Sequence, residues 1–155
     1  MAANGLASAT RPILVLDTNV VLDWLLFADP GVAPLAAALA AGSVRWVACP
    51  PMRNEFERAL GYRTLAKWRP DRERLMSCFD RHAVIQATPP TVRALRCRDP
   101  DDQIFLDLAV AARAAWLLSH DRELLRLAKD AGALGVHVTR PILWQPEPQP
   151  SVRSH

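Results

Sequence analysis

The chain has 155 residues, half of them hydrophobic and 23% charged, with a formal net charge of +3. That is enough to bury about two thirds of the unfolded surface in one domain, and no apolar run reaches the roughly 18–20 residues that span a bilayer. Cys49, Cys78 and Cys97 are odd in number and far apart, which excludes a paired-cysteine zinc site or a disulfide scaffold and reads as free thiols in a cytoplasmic protein without membrane attachment.

Residues 1–10 carry neither a basic n-region nor an apolar h-region and are read as a flexible leader. The domain is expected over residues 11–144. The apolar run 13–16 reads as a buried parallel strand, left by Asp17-Thr18-Asn19-Val20. A helical pattern follows over 20–27, with Asp29-Pro30-Gly31 as a turn, and Pro34 opens a second helix that Gly42 stops. Residues 44–48 form a strand that Pro50-Pro51 ends, and 52–60 form a helix bearing Glu55. Asp71 caps a helix to about residue 82, 84–86 is a short strand, and Thr88-Pro89-Pro90-Thr91 is a break. The apolar helix 104–114, strand 115–118, helix 121–131 and strand 136–138 complete the pattern, and the Pro-rich 145–155 reads as a disordered tail. Strands alternating with helices, without a hairpin signal, imply a three-layer α/β/α sandwich on a five-stranded parallel sheet.

Open α/β sheets build their sites beyond the carboxyl ends of their strands, so the acids there are the candidates. Asp17 leaves the first strand, and Ser119-His120-Asp121 leaves the fourth. Glu55 lies in the helix after the second strand. Asp99-Pro100-Asp101-Asp102 opens the helix before the fourth strand, which makes Asp102 the weakest member, because that helix leads into a strand rather than away from one. Each has a plainer reading. Asp17 alone is equally a turn former or cap, Asp99, Asp101 and Asp102 suit a helix N-terminus, and Glu55 has Arg53 and Arg58 as neighbours for an ion pair. Asp101 rivals Asp102 if the register is off by one.

Four such carboxylates at one edge repel by about 4 kcal/mol per close pair at an effective dielectric near 20, so a cation is needed. An all-oxygen set selects hard ions such as Mg²⁺ or Mn²⁺, which favour phosphate as a further ligand. The basic residues are 17 Arg and 2 Lys, dense over 53–81 and 93–98, and arginine forks suit phosphate, although nucleotide bias and solvated faces account for them as well. Asp23 and Asp107 read as solvated or locally bonded, His120 as a hydrogen-bonded bystander, and the five tryptophans as core or interface rather than base-stacking platforms.

Asp17-Thr18-Asn19-Val20, Met52-Arg53-Asn54-Glu55-Phe56, Asp102-Gln103-Ile104-Phe105-Leu106-Asp107-Leu108-Ala109 and Leu118-Ser119-His120-Asp121 together resemble the four acidic motifs of PIN-domain ribonucleases, in order from about Pro12 to Leu143. Asp99 to Asp102 with Phe105-Leu106 and Ser119 to Leu125 is similar to a bacterial subgroup of VapC-like toxins of toxin–antitoxin pairs. The resemblance implies strand order 3-2-1-4-5 and a Mg²⁺- or Mn²⁺-dependent endoribonuclease. Asp17, Glu55, Asp102 and Asp121 would be its catalytic, metal-binding acids, water its nucleophile, and Asn19, Ser119 and Glu123 supporting residues that orient or extend the acids. It implies RNA as substrate, a small antitoxin as partner and a possible homodimer. Two departures stand out: Ser119-His120-Asp121 replaces a Thr-Gly-Asp type of fourth motif, and Glu123 is longer than the Asp often found there. With the site so assigned, helix capping falls to Asn19 and its neighbours, leaving Asp17 free. A non-catalytic RNA- or protein-binding module with this fold is the alternative. A haloacid-dehalogenase phosphatase also starts from Asp after a first strand, but needs a second acid where Asn19 stands.

Overall fold

The computed structural model describes residues 11–146, so the expected leader and most of the expected tail lie outside the described residues. Five parallel strands, β1 (Ile13–Leu16), β2 (Arg45–Ala48), β3 (Ala83–Ile85), β4 (Trp116–Leu118) and β5 (His137–Thr139), form one sheet in the order β3-β2-β1-β4-β5. This is the expected order 3-2-1-4-5. The helices are α1 (Thr18–Leu25), α2 (Ala33–Ala41), α3 (Pro50–Ala59), α4 (Arg72–His82), α5 (Gln103–Ala111), α6 (Arg122–Leu125) and α7 (Ala128–Ala133). Central β1 is flanked on both sides, and Leu14, Val15 and Leu16 are buried, as its unbroken aliphatic run requires. Among the described residues no single helix is long and apolar enough to cross a membrane.

Several boundaries differ from the sequence reading for identifiable reasons. Pro50 and Pro51 do not merely end β2. They occupy the first two positions of α3, where a missing N–H costs nothing. Helix α5 stops at Ala111 rather than 114, because Arg113 takes a left-handed backbone (φ 56°) and the Ala114 N–H turns back to the Ala109 carbonyl at 2.9 Å. A glycine normally marks that turn, and an arginine there carries no such signal. The single helix expected over 121–131 is two, α6 and α7, joined where the Leu127 N–H reaches Leu124 O at 3.0 Å in a tighter 3₁₀ bond. Leu124 and Ala131 are both fully buried across that joint.

The tryptophans divide. Trp46, Trp116 and Trp144 are core, and Trp24 packs edge-on to Trp46 with ring centroids 5.5 Å apart, but Trp68 is 46% exposed. Cys49, Cys78 and Cys97 are free thiols, the first and last buried.

Candidate metal centre

The register of the sheet builds the site. Leu16 pairs with Leu118, so the next residues, Asp17 and Ser119, leave adjacent strands side by side. The Asp17 N–H donates to Leu118 O at 3.1 Å, and the Asp17 side chain divides its two oxygens: Oδ1 accepts from the Val20 N–H at 3.0 Å, and Oδ2 accepts from the Ser119 hydroxyl. Asp17 is therefore itself the N-cap of α1, and Asn19 is an exposed residue in its first turn. Capping therefore does not move to Asn19 and its neighbours: Asp17 caps α1 with one oxygen and accepts from Ser119 with the other. Burial pushes the Asp17 carboxyl above the ordinary range, against the lowering effect of Ser119 and Val20.

Asp121 follows the same design two residues further on from Ser119. Its N–H donates to Ser119 Oγ at 2.9 Å, and its side chain caps α6 through the Glu123 N–H at 2.7 Å. Glu123 itself turns outward to Arg126, 3.7 Å away, and does not line the cavity. His120, between them, is hydrogen-bonded to Asp23 at 2.7 Å, which ties the end of β4 to α1.

Asp102 reaches this edge by a path that the sequence reading undervalued. A crossover helix between parallel strands runs against them, so its N-terminus lies at the edge where strands end, whether the helix is regarded as following one strand or preceding the next. Asp99 caps a 3₁₀ turn (Pro100–Asp102) through the Asp101 N–H at 3.0 Å, and α5 starts directly after Asp102. The capping reading thus holds for Asp99, but not for the Asp102 side chain, which caps nothing. Asp101 is exposed and does not line the cavity.

A cavity of about 140 Å³ is lined by Asp17, Asn19, Glu55, Asp102 and Asp121, together with Tyr62 and Thr64. Glu55 stands on the second turn of α3, four residues before buried Ala59, and has no ion-pair partner among the described residues; Arg53 is engaged by Asp80 instead. Carboxylate oxygens of Asp99, Asp102 and Asp121 lie within 4.8 Å of one another. Asp99 is thus a third member that sequence reasoning treated only as a cap.

Burial, then Asp121, Asp99 and Asp17 nearby, push the Asp102 carboxyl up to about 8. Its Oδ2 is buried with no hydrogen-bond partner. An orphaned buried oxygen among like charges is the environment that a cation relieves, and the donor set is oxygen only, so the residues fit a hard divalent ion.

The loop that delivers these acids is fastened by two residues from the apolar helix. Gln103 accepts from the Cys97 N–H at 2.7 Å and donates to Leu95 O at 2.7 Å and to Asp107 Oδ1 at 3.0 Å. Asp107 Oδ1 also accepts from the Val92 N–H at 2.9 Å and is buried rather than solvated. Polar residues spaced i, i+4 on an otherwise apolar helix were the available sign. Of the arginine-rich stretch, Arg53 grips Asp80 through two bonds of 2.6 and 2.7 Å and Arg72 pairs with Glu57, so these two tie α3 to α4.

No curated protein matches the chain. The family model described as PIN domain matches residues 13–123, which hold all of the carboxylates above.

Proposed function

Because the chain belongs to the PIN-domain family, whose members are generally metal-dependent nucleases, we propose that it is a Mg²⁺- or Mn²⁺-dependent endoribonuclease. The observation that carries this reading is the meeting of Asp99, Asp102 and Asp121 within 4.8 Å around a buried, unpartnered Asp102 oxygen. Asp99, Asp102 and Asp121 hold the ion in this reading, with Asp17 and Glu55 in the lining of the adjoining cavity acting on it directly or through water. A divalent ion bound there supplies charge neutralisation for a phosphodiester and lowers the pKa of water. The chain's own residues do the rest. Ser119 and Val20 fix both oxygens of Asp17, Gln103 and Asp107 fix the loop carrying Asp99 and Asp102, and Glu55, in the lining of the same cavity, is the carboxylate available to accept a proton from water. Asn19 is a supporting residue in the cavity lining, and Glu123 supports the site through its N–H, which holds Asp121 Oδ1, rather than through its carboxylate.

The finer role is that of a toxin acting on cytoplasmic RNA, neutralised by a small antitoxin whose peptide covers the acidic cavity, with the chain itself paired as a homodimer. This rests on the likeness of Asp99 to Leu125 to that subgroup. The biochemical test is cleavage of single-stranded RNA by purified protein with Mn²⁺ or Mg²⁺. Asp17→Asn and Asp102→Asn should each abolish it while the far-UV circular dichroism stays the same; Asn is a good N-cap, so α1 survives the first change. Full cleavage in both variants, or activity that resists chelation, sinks the metal reading. Expression that arrests growth in the wild type but not in Asp17→Asn, relieved by a neighbouring small protein, supports the toxin role; harmless expression removes it.

A further inference from the structure

Resting on the nuclease reading above, we infer that residues 62–69 form a substrate rim that stacks unpaired RNA bases on Tyr62 and Trp68 and holds the adjoining phosphates with Arg63, Lys67 and Arg69. Tyr62 caps the 3₁₀ helix Arg63–Trp68. With three residues per turn, Tyr62, Leu65 and Trp68 line up along one side, spread over roughly 12 Å at about 2 Å per residue. Leu65 is the buried anchor, whereas Tyr62 and Trp68 are 49% and 46% exposed. They are the aromatic members of the exposed large hydrophobics among the described residues.

The rim adjoins the carboxylates directly, since Tyr62, Thr64 and Leu65 line the same cavity as Asp17, Glu55, Asp102 and Asp121. At the far end the Trp68 ring rests on Phe27, with centroids 4.7 Å apart, and Lys67 Nζ lies 5.9 Å from its centroid. That support holds the indole while leaving almost half of it open. Arg63, Lys67 and Arg69 are exposed and have no carboxylate partner among the described residues, unlike Arg53 and Arg72. Two half-exposed aromatic rings with three cations unpaired with any carboxylate, leading out of an acidic cavity, match a strand whose base faces are bare and whose backbone is anionic. A duplex buries those faces, so the ligand is single-stranded.

The test uses the full chain carrying Asp17→Asn, which holds RNA uncut, and a short fluorescein-labelled single-stranded RNA read by anisotropy in chelator. Tyr62→Leu and Trp68→Leu should each weaken binding about tenfold, while Tyr62→Phe and Trp68→Phe keep most of it, because a ring stacks and an aliphatic side chain does not. Replacing Arg63, Lys67 and Arg69 together by Gln should shallow the logarithmic salt dependence by about two, at roughly 0.7 per phosphate contact on a single strand. Thermal melting of each variant separates lost contact from lost fold. Equal affinity of the Leu variants and their parent, or equal affinity for the same RNA annealed to its complement, overturns the inference. Two outcomes separate it from the nuclease reading. Wild-type cleavage with Leu variants that still bind removes the rim alone; RNA bound through Tyr62 and Trp68 but never cut with metal removes the nuclease and keeps the rim.

Discussion

Ser119 and Asp17 are 102 residues apart in sequence and hydrogen-bonded across the ends of neighbouring strands, with the Ser119 hydroxyl donating to Asp17 Oδ2. The same hydroxyl accepts from the Asp121 N–H at 2.9 Å, so one small group sets the spacing of two carboxylates. Ser119→Ala removes the donor and leaves buried Asp17 with its helix cap alone. Partners of this kind typically hold 10- to 100-fold of metal affinity, so Mn²⁺ binding measured by calorimetry should weaken by about that range. Ser119→Thr keeps the hydroxyl and should restore most of it. Equal affinity in Ser119→Ala and wild type rules out the orienting role.

The clustered acids also make metal-free stability depend on pH, with a sign that can be worked out. Asp102 holds its proton up to about 8 when folded, but only to its ordinary 3.8 when unfolded. Between those values the folded chain binds more protons, so this stabilisation is complete below the lower value and is lost as pH rises through the upper one. The upward shift of Asp17 acts in the same direction. Metal-free Tm should therefore fall from pH 5 to pH 9. Mn²⁺ at about 100 times its Kd should restore about 2.7 kcal/mol, roughly 5–10 °C, at the alkaline end. Asp102→Asn should flatten the profile and lose the Mn²⁺ response. A wild-type Tm indifferent to both pH and Mn²⁺ would count against a charged cluster.

The sheet was legible because buried parallel strands must be apolar throughout and because Gly42 and the prolines mark real boundaries. Asp17 and Asp121 could be placed at one edge from that alone, since both follow strands of a parallel sheet; that those strands are neighbours was implied only by the family resemblance. Asp99 could not, because a residue that caps a turn looks the same in sequence whether or not its free oxygen also faces a neighbour. Asp102 was undervalued through treating its helix as tied only to the strand that follows. For Asp107 the local-bonding alternative holds, through Gln103 one turn earlier, whereas its second partner, the Val92 N–H, comes from a loop whose path no local pattern dictates. Trp68 differs from the other tryptophans for the same kind of reason: its exposure depends on where the segment after α3 lands.

Asp107 gives a separable test of how the acid loop is held. Asp107→Ala leaves the Val92 N–H and one Gln103 donor without their acceptor, for a loss of about 2 kcal/mol, or roughly 4–8 °C in Tm. The loop between Val92 and Asp102 should then loosen, so hydrogen exchange at Val92, Cys97 and Asp102 should quicken while that of β1 stays slow. Mn²⁺ affinity should fall with it. A variant that melts earlier but keeps wild-type exchange in the loop and wild-type affinity would show Asp107 to be a packing residue only.

Asp99 and Asp101 are two residues apart, both acidic and both in the first turn leading to α5, yet only Asp99 shares the cluster with Asp102 and Asp121. Asn in place of either keeps the size of the side chain, and at residue 99 it keeps the acceptor for the Asp101 N–H. The two changes remove the same formal charge at nearly the same distance from the cavity in sequence. A general electrostatic contribution would therefore weaken Mn²⁺ binding about equally in both. Ligation makes them unequal: Asp99→Asn should lower affinity by tenfold or more, whereas Asp101→Asn, exposed and screened by solvent, should stay within about twofold. Asp99→Asn should also pull the Asp102 carboxyl back toward its ordinary range, because one of the charges holding it up is gone. Carbon-13 shifts of the Asp102 carboxyl across pH 5 to 9 would read that directly. Equal losses in the two variants, with no change in Asp102 titration, would assign Asp99 back to capping alone and leave Asp102 and Asp121 as the pair on which metal binding depends.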